Sequence, residues 1–116
     1  MAIPSRMIGT AAGAVAGIAG DLQDNITATG TTQADAFALN AVYSIVTTAA
    51  TGTGVRLMEP EPSAEVFVRN LGANTLNVYP PVGDNFNGGT ANAPVTIAAG
   101  AFQWFIGRNS TSWTTA

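Results

Sequence analysis

The chain contains no cysteine, no histidine and no lysine, and only 9% of its 116 residues are charged. Each absence removes a class of chemistry. Without thiols there is no disulfide framework and no thiolate metal site, and assembly in the cytosol is the natural expectation. Without imidazole or amine side chains, the usual general bases and activated nucleophiles reduce to carboxylates and tyrosine. The cations are Arg6, Arg56, Arg69 and Arg108; the acids are Asp21, Asp24, Asp35, Glu59, Glu61, Glu65 and Asp84, for a net charge of −3. No stretch clusters arginine with aromatics, so phosphate neutralisation and nucleic-acid binding are not expected. No basic amphipathic face is present to lie on a membrane.

What remains is 47% hydrophobic, and its polar complement is chiefly threonine, asparagine, serine and glycine. An average soluble domain carries about 25% charged residues. A surface this poor in charge is either clad in neutral hydroxyls and amides or covered by other chains. A length of 116 residues fits a single domain that buries roughly two thirds of its unfolded surface, enough for a core without staples.

The texture changes along the chain. Residues 7–20 read MIGTAAGAVAGIAG, with Gly9, Gly13 and Gly17 four apart in a small-xxx-small pattern. The run is shorter than the ~20 residues a bilayer crossing needs. A signal peptide with Arg6 as its basic region and Ala14-Val15-Ala16 as its cleavage site is weakened by Pro4 and the repeated glycines. Glycine costs about 1 kcal/mol per residue in a helix relative to alanine. Residues 1–21 are therefore expected to form an extended arm, held by a neighbouring subunit, ahead of a β domain over residues 22–116.

From Leu22 onward, β-branched and aromatic residues alternate with polar ones between turn signals. Asp35–Thr48 reads either as a helix or as two strands broken near Asn40-Ala41, with Phe37, Leu39, Tyr43 and Ile45 on one face; its Val, Ile, Tyr and Thr content favours strands. Glu65–Asn70 and Thr75–Tyr79 alternate on either side of Leu71-Gly72-Ala73-Asn74, which predicts a hairpin. Val82–Thr90 reads as a loop around Phe86. Pro94–Ala98, Phe102–Gly107 and Ser112–Thr115 complete the set. Turns every eight to twelve residues predict an all-β fold, a small β-sandwich or barrel of about seven to nine short antiparallel strands. No internal repeat stands out.

Candidate chemistry is sparse. Glu59, Glu61, Glu65 and Asp84 are the carboxylates from which a glycosidase pair could be drawn, although three of them crowd a proline-rich turn that solvation explains better. Asp84-Asn85-Phe86-Asn87-Gly88 opens like a calcium loop, but its third position is Phe86 and no glutamate follows at the required spacing. Gly9–Gly13 has no lysine after it and is not a phosphate loop. Asn25-Ile26-Thr27 and Asn109-Ser110-Thr111 match the glycosylation acceptor, a chance match without a secretory context. Trp104 and Trp113 suit a core, a subunit contact or a sugar platform, in that order. No catalytic centre, cofactor or metal is expected.

The opening MAIPSRM, the run TATGTTQADAFALNAVYSIVTTAATGTGVRL, the block VFVRNLGANTLNVYPPVGDNFNGG and the close AAGAFQWFIGRNSTSWTT together resemble a family of small virion proteins of tailed bacteriophages. The resemblance covers most of the chain, and its motifs specify strands and turns rather than a reaction. It implies a virion component: a head decoration (cement) protein on the capsid surface, or a receptor- or glycan-binding module of a tail fibre or spike using Tyr79 and Phe86. On the first reading the partners are the major capsid protein and copies of this chain, a trimer being the expected form. Ile3, Arg6, Met7 and Ile8 are the candidate partner-binding residues, since Pro4 keeps that segment extended and extended peptides add to sheet edges.

Overall fold

Glu65–Asn70 shows why these segments become strands. Val66, Val68 and Asn70 are buried while Glu65, Phe67 and Arg69 face outward, the period-2 pattern of a sheet with one covered face. A computed structural model describes residues 21–116. They form ten strands and no helix: β1 (Leu22–Thr27), β2 (Phe37–Ala38), β3 (Tyr43–Thr48), β4 (Gly54–Arg56), β5 (Glu65–Asn70), β6 (Leu76–Tyr79), β7 (Asn85–Phe86), β8 (Val95–Ile97), β9 (Phe102–Asn109) and β10 (Ser112–Thr115). The arm predicted for residues 1–21, with Ile3, Arg6, Met7 and Ile8, lies outside the described residues apart from Asp21.

The strands fall into two sheets. Sheet A has the order β1-β3-β5-β9-β10-β7, and sheet B the order β2-β4-β6-β8. Through β6 the chain crosses from one sheet to the other after every strand. A chain that crosses and returns re-enters its sheet in the same direction, so β1–β3, β3–β5, β2–β4 and β4–β6 all pair parallel. Leu22 lies beside Tyr43, and Tyr43 beside Phe67, so one turn of this solenoid-like winding takes 21 and then 24 residues. Beyond β6 the pattern relaxes: β8 and β9 run antiparallel to β6 and β5, and β9 and β10 form an antiparallel hairpin.

This corrects the antiparallel sandwich or barrel expected from turn spacing. The all-β class holds, but five of the eight strand pairings are parallel and the sheets stack by winding. The hairpin expected at Leu71–Asn74 is likewise a corner: β5 belongs to sheet A and β6 to sheet B. Asn70 builds it. Its fully buried side chain donates from Nδ2 to the Asn74 and Ile97 carbonyls at 2.8 and 3.0 Å, and its Oδ1 accepts from Gly72 N–H at 3.0 Å. One amide thus ties the corner after β5 to the end of β8. Asp35–Thr48 does form two strands, β2 and β3. Its four large residues do not share a face, because β2 and β3 lie in different sheets; Leu39 is in the core, whereas Tyr43 and Ile45 face away from it.

Between the sheets, Ile26, Val46, Val68, Phe105 and Trp113 of sheet A join Val55, Leu76, Val78 and Ile97 of sheet B in one cluster. Full burial contributes about 1.5–3 kcal/mol for each such side chain. Trp113 is fully buried, and its Nε1–H donates to the Met58 carbonyl at 3.0 Å, pinning β10 to the segment before the prolines. Opposite Trp113 in the ladder stands Gly107. A Cβ there would collide with the Glu61 backbone, so the missing side chain is what lets the Glu-Pro-Glu-Pro segment cross β9. Gly107 N–H donates to Ala64 O at 2.7 Å, and Ser63 N–H donates to Gly107 O at 2.9 Å.

Candidate interaction surface

The outer face of sheet A is the most distinctive surface of the described residues. Parallel and antiparallel registers bring Leu22, Tyr43, Phe67 and Trp104 into one row across β1, β3, β5 and β9. Alternation puts Ile45, Arg69 and Phe102 on one side of this row, and Glu65 with Ile106 on the other. The rings touch. Phe67 lies 4.8 Å from Trp104, 5.4 Å from Phe102 and 6.3 Å from Tyr43, and Tyr43 meets Trp104 edge-on at 6.2 Å. Tilted and edge-on contacts at these separations are favourable for aromatic quadrupoles, about 0.5–1.5 kcal/mol each beyond area burial. The Arg69 guanidinium carbon sits 5.8 Å from the Phe102 ring centroid, within cation–π range.

Mutual packing leaves the face apolar and open. Leu22 is 56% exposed, Phe102 51% and Ile106 36%. Two charged groups frame it. Burial pushes the Glu65 carboxyl above its ordinary range. The Arg69 Nε is out of solvent and donates to no acceptor. Sequence reasoning placed Trp104 first in the core; it stands half-buried on this face, and Trp113 is the core tryptophan. The row itself was not anticipated. Its members lie 21, 24 and 37 residues apart in sequence, and only the strand registers align them.

The four candidate carboxylates separate. Glu65 belongs to the outer face of sheet A, and Glu61 lies in the proline segment that crosses Gly107. Glu59 and Asp84 come together. Asp84 is only 7% exposed, and its carboxyl is pushed up by burial first, then by the Glu59 charge and a hydrogen bond with Glu59. Burial and a neighbouring negative charge both disfavour the ionised form of Asp84. A glycosidase would also need a sugar cleft lined by rings, and Phe86, next but one to Asp84, points into the core instead.

The loop after Asp84 is organised internally. Asn85 Oδ1 accepts from Gly88 N–H at 3.0 Å and from Ser112 Oγ–H at 2.8 Å, and Asn87 Oδ1 accepts from Thr115 N–H at 3.0 Å. These oxygens hold β7 against β10. Tyr79 and Phe86, expected as exposed loop aromatics, are both buried. Tyr79 lies beneath the loop 30–36: Arg56 Nη1–H donates to Gln33 O at 2.9 Å, Gln33 Nε2–H to Pro80 O at 2.7 Å, and the Tyr79 hydroxyl reaches Thr31 O at 3.5 Å. Among the described residues no group of three or more acidic side chains could hold a metal ion, and no helix is long and apolar enough to cross a membrane.

Comparison with protein-family models, with curated proteins and with solved structures returns no match.

Proposed function

We propose that the chain is a structural protein of a bacteriophage particle, a head decoration (cement) protein that binds assembled major capsid protein and stabilises the shell. The observation that carries the reading is the contiguous aromatic face of sheet A, standing open on a protein with few charged groups anywhere. Patches of this kind mark surfaces that bind other macromolecules. The sequence resemblance to virion proteins supports the same reading. A protein that binds only the assembled shell stabilises it by mass action, and copies joined to one another multiply weak contacts. In this reading Ile3, Arg6, Met7 and Ile8 make the shell contact.

The test is the particle. Electron microscopy of purified virions should show density for this chain on the head, and deletion of residues 1–20 should remove it. Virions lacking the chain, or heads equally occupied by the truncated protein, overturn the reading. A receptor- or glycan-binding module of a tail fibre or spike is the alternative. Its platform would be Trp104 and Phe102 in place of the buried Tyr79 and Phe86, and glycan-array binding lost on W104A would favour it.

A further inference from the structure

We propose that the outer face of sheet A is a two-fold interface on which a second copy of this chain packs with its strands antiparallel. The inference goes beyond the particle reading and survives its failure, because self-association is measurable on the purified chain.

The argument is one of self-complementarity. The face has three rows: Leu22, Tyr43, Phe67 and Trp104 in the middle, Glu65 and Ile106 on one side, Ile45, Arg69 and Phe102 on the other. A two-fold axis laid along the middle row returns that row onto itself and exchanges the outer rows. Glu65 of one copy then faces Arg69 of the other, and Ile106 faces Phe102. Both pairings occur twice, as an isologous interface requires. The other in-plane axis, along β5, sets Arg69 against Arg69 and Glu65 against Glu65, and like charges in such contacts are rejected. Charge therefore selects one packing of the two. It also supplies what each group lacks alone: an acceptor near the unpartnered Arg69 Nε and a counter-charge for a desolvated carboxyl.

The footprint sets the strength. Glu65 and Arg69 stand about 13 Å apart along β5, and β1 to β9 span about 15 Å. That is smaller than a standard interface of ~800 Å² per partner, so the pair is a weak, reversible dimer rather than an obligate one. On a particle, where neighbours are held close, this is sufficient. The proposed pair differs from the trimer expected from the resemblance, and sedimentation distinguishes the two.

Sedimentation velocity of the full chain across the micromolar range tests it. The expected result is a monomer–dimer equilibrium. E65R and R69E should each weaken it at least ~10-fold, F102D should abolish it, and E65R/R69E together should restore it by exchanging the partners. All three substitutions are on the outer face, and circular dichroism verifies that each of the four variants folds. A monomer at every concentration, a trimer, or a double variant no better than the single ones overturns the proposal. A monomer in which acrylamide quenches neither tryptophan assigns the face to residues 1–20, because Trp113 is already fully buried and Trp104 reports the cover.

Discussion

The two sheets differ most on the faces they turn away from each other. Sheet B carries one large aromatic on its outer side, Tyr79, and the chain's own loop 30–36 lies over it through Gln33, Thr31 and Arg56. The rest of that face is polar: Asn77 stands beside Thr96 in the ladder. Sheet A turns out four aromatic rings and leaves Leu22, Phe102 and Ile106 open. Both sheets come from the same charge-poor composition. The exposed rings of sheet A are therefore not a by-product of having few charges, since sheet B shows how the same residue types cover or replace an aromatic. An outer face left apolar in one sheet and shielded in the other is what the proposed binding surface requires.

The sharpest way to break this comparison is to truncate the same residue type on the two sides of β9. Phe105 is fully buried and packs against Phe86 at 5.4 Å; Phe102 is half exposed on the other side of the strand. F105A should cost about 3–5 kcal/mol of unfolding free energy, and F102A less than ~1 kcal/mol. Urea denaturation measures both. Equal costs would mean that the outer row is core rather than contact surface.

Next in size is the corner that creates the two faces. Asn70 satisfies three backbone groups with one buried amide, so N70A should cost about 2–3 kcal/mol, because the Asn74 and Ile97 carbonyls and the Gly72 N–H lose their partner together. N70D should be as costly, since a carboxylate cannot donate to the two carbonyls. An amide hydrogen-exchange map should show the loss concentrated at the ends of β5 and β8.

Asn70 also shows what the sequence could and could not disclose. Strand positions were legible, because alternation in Glu65–Asn70 or Phe102–Gly107 is a local signal that burial reproduces. Pairing was not. Leu71-Gly72-Ala73-Asn74 has the composition of a hairpin turn and of a corner alike, and the deciding bond runs to Ile97, 27 residues away. The same holds for the outer row, whose members come from four strands, and for Glu59 and Asp84, which only the tertiary fold brings together. Trp104 and Trp113 look equivalent in composition; their different fates follow from which side of its strand each occupies.

Glu59 and Asp84, neither of which belongs to the aromatic row, give a smaller, pH-dependent effect. The folded chain holds the Asp84 proton more tightly than the unfolded chain does, because burial and the Glu59 charge both raise its pKa. The contribution is therefore fully favourable below the ordinary aspartate range and is lost as pH rises through the raised value. Above that range a charged Asp84 carboxylate is held in a buried position beside the Glu59 charge, and this opposes folding. D84N should raise stability at pH 7 by about 0.5 kcal/mol, a value kept low because Glu59 is exposed. At pH 3 the gain should vanish. A thermal-melt series from pH 3 to pH 8 in which D84N and the unaltered chain run parallel would remove the pair from the account.

The smallest expected effect tests the covered side of the comparison. The Tyr79 hydroxyl lies 3.5 Å from Thr31 O, at the outer limit of a hydrogen bond, while its ring is almost wholly buried and lies close to Gly54. If the loop covers the ring by packing and by the shorter Gln33 and Arg56 bonds, Y79F should change stability by less than ~0.5 kcal/mol and leave self-association untouched. Y79A should do more, because it removes the ring on which the loop rests and leaves a cavity between Gly54 and residues 30–36. Hydrogen exchange at Gly30–Ala36 separates the two: protection retained in Y79F and lost in Y79A shows that sheet B hides its aromatic by packing. Protection lost in both would mean that one long hydrogen bond holds the loop, and sheet B would then be only a weakly shielded counterpart of sheet A.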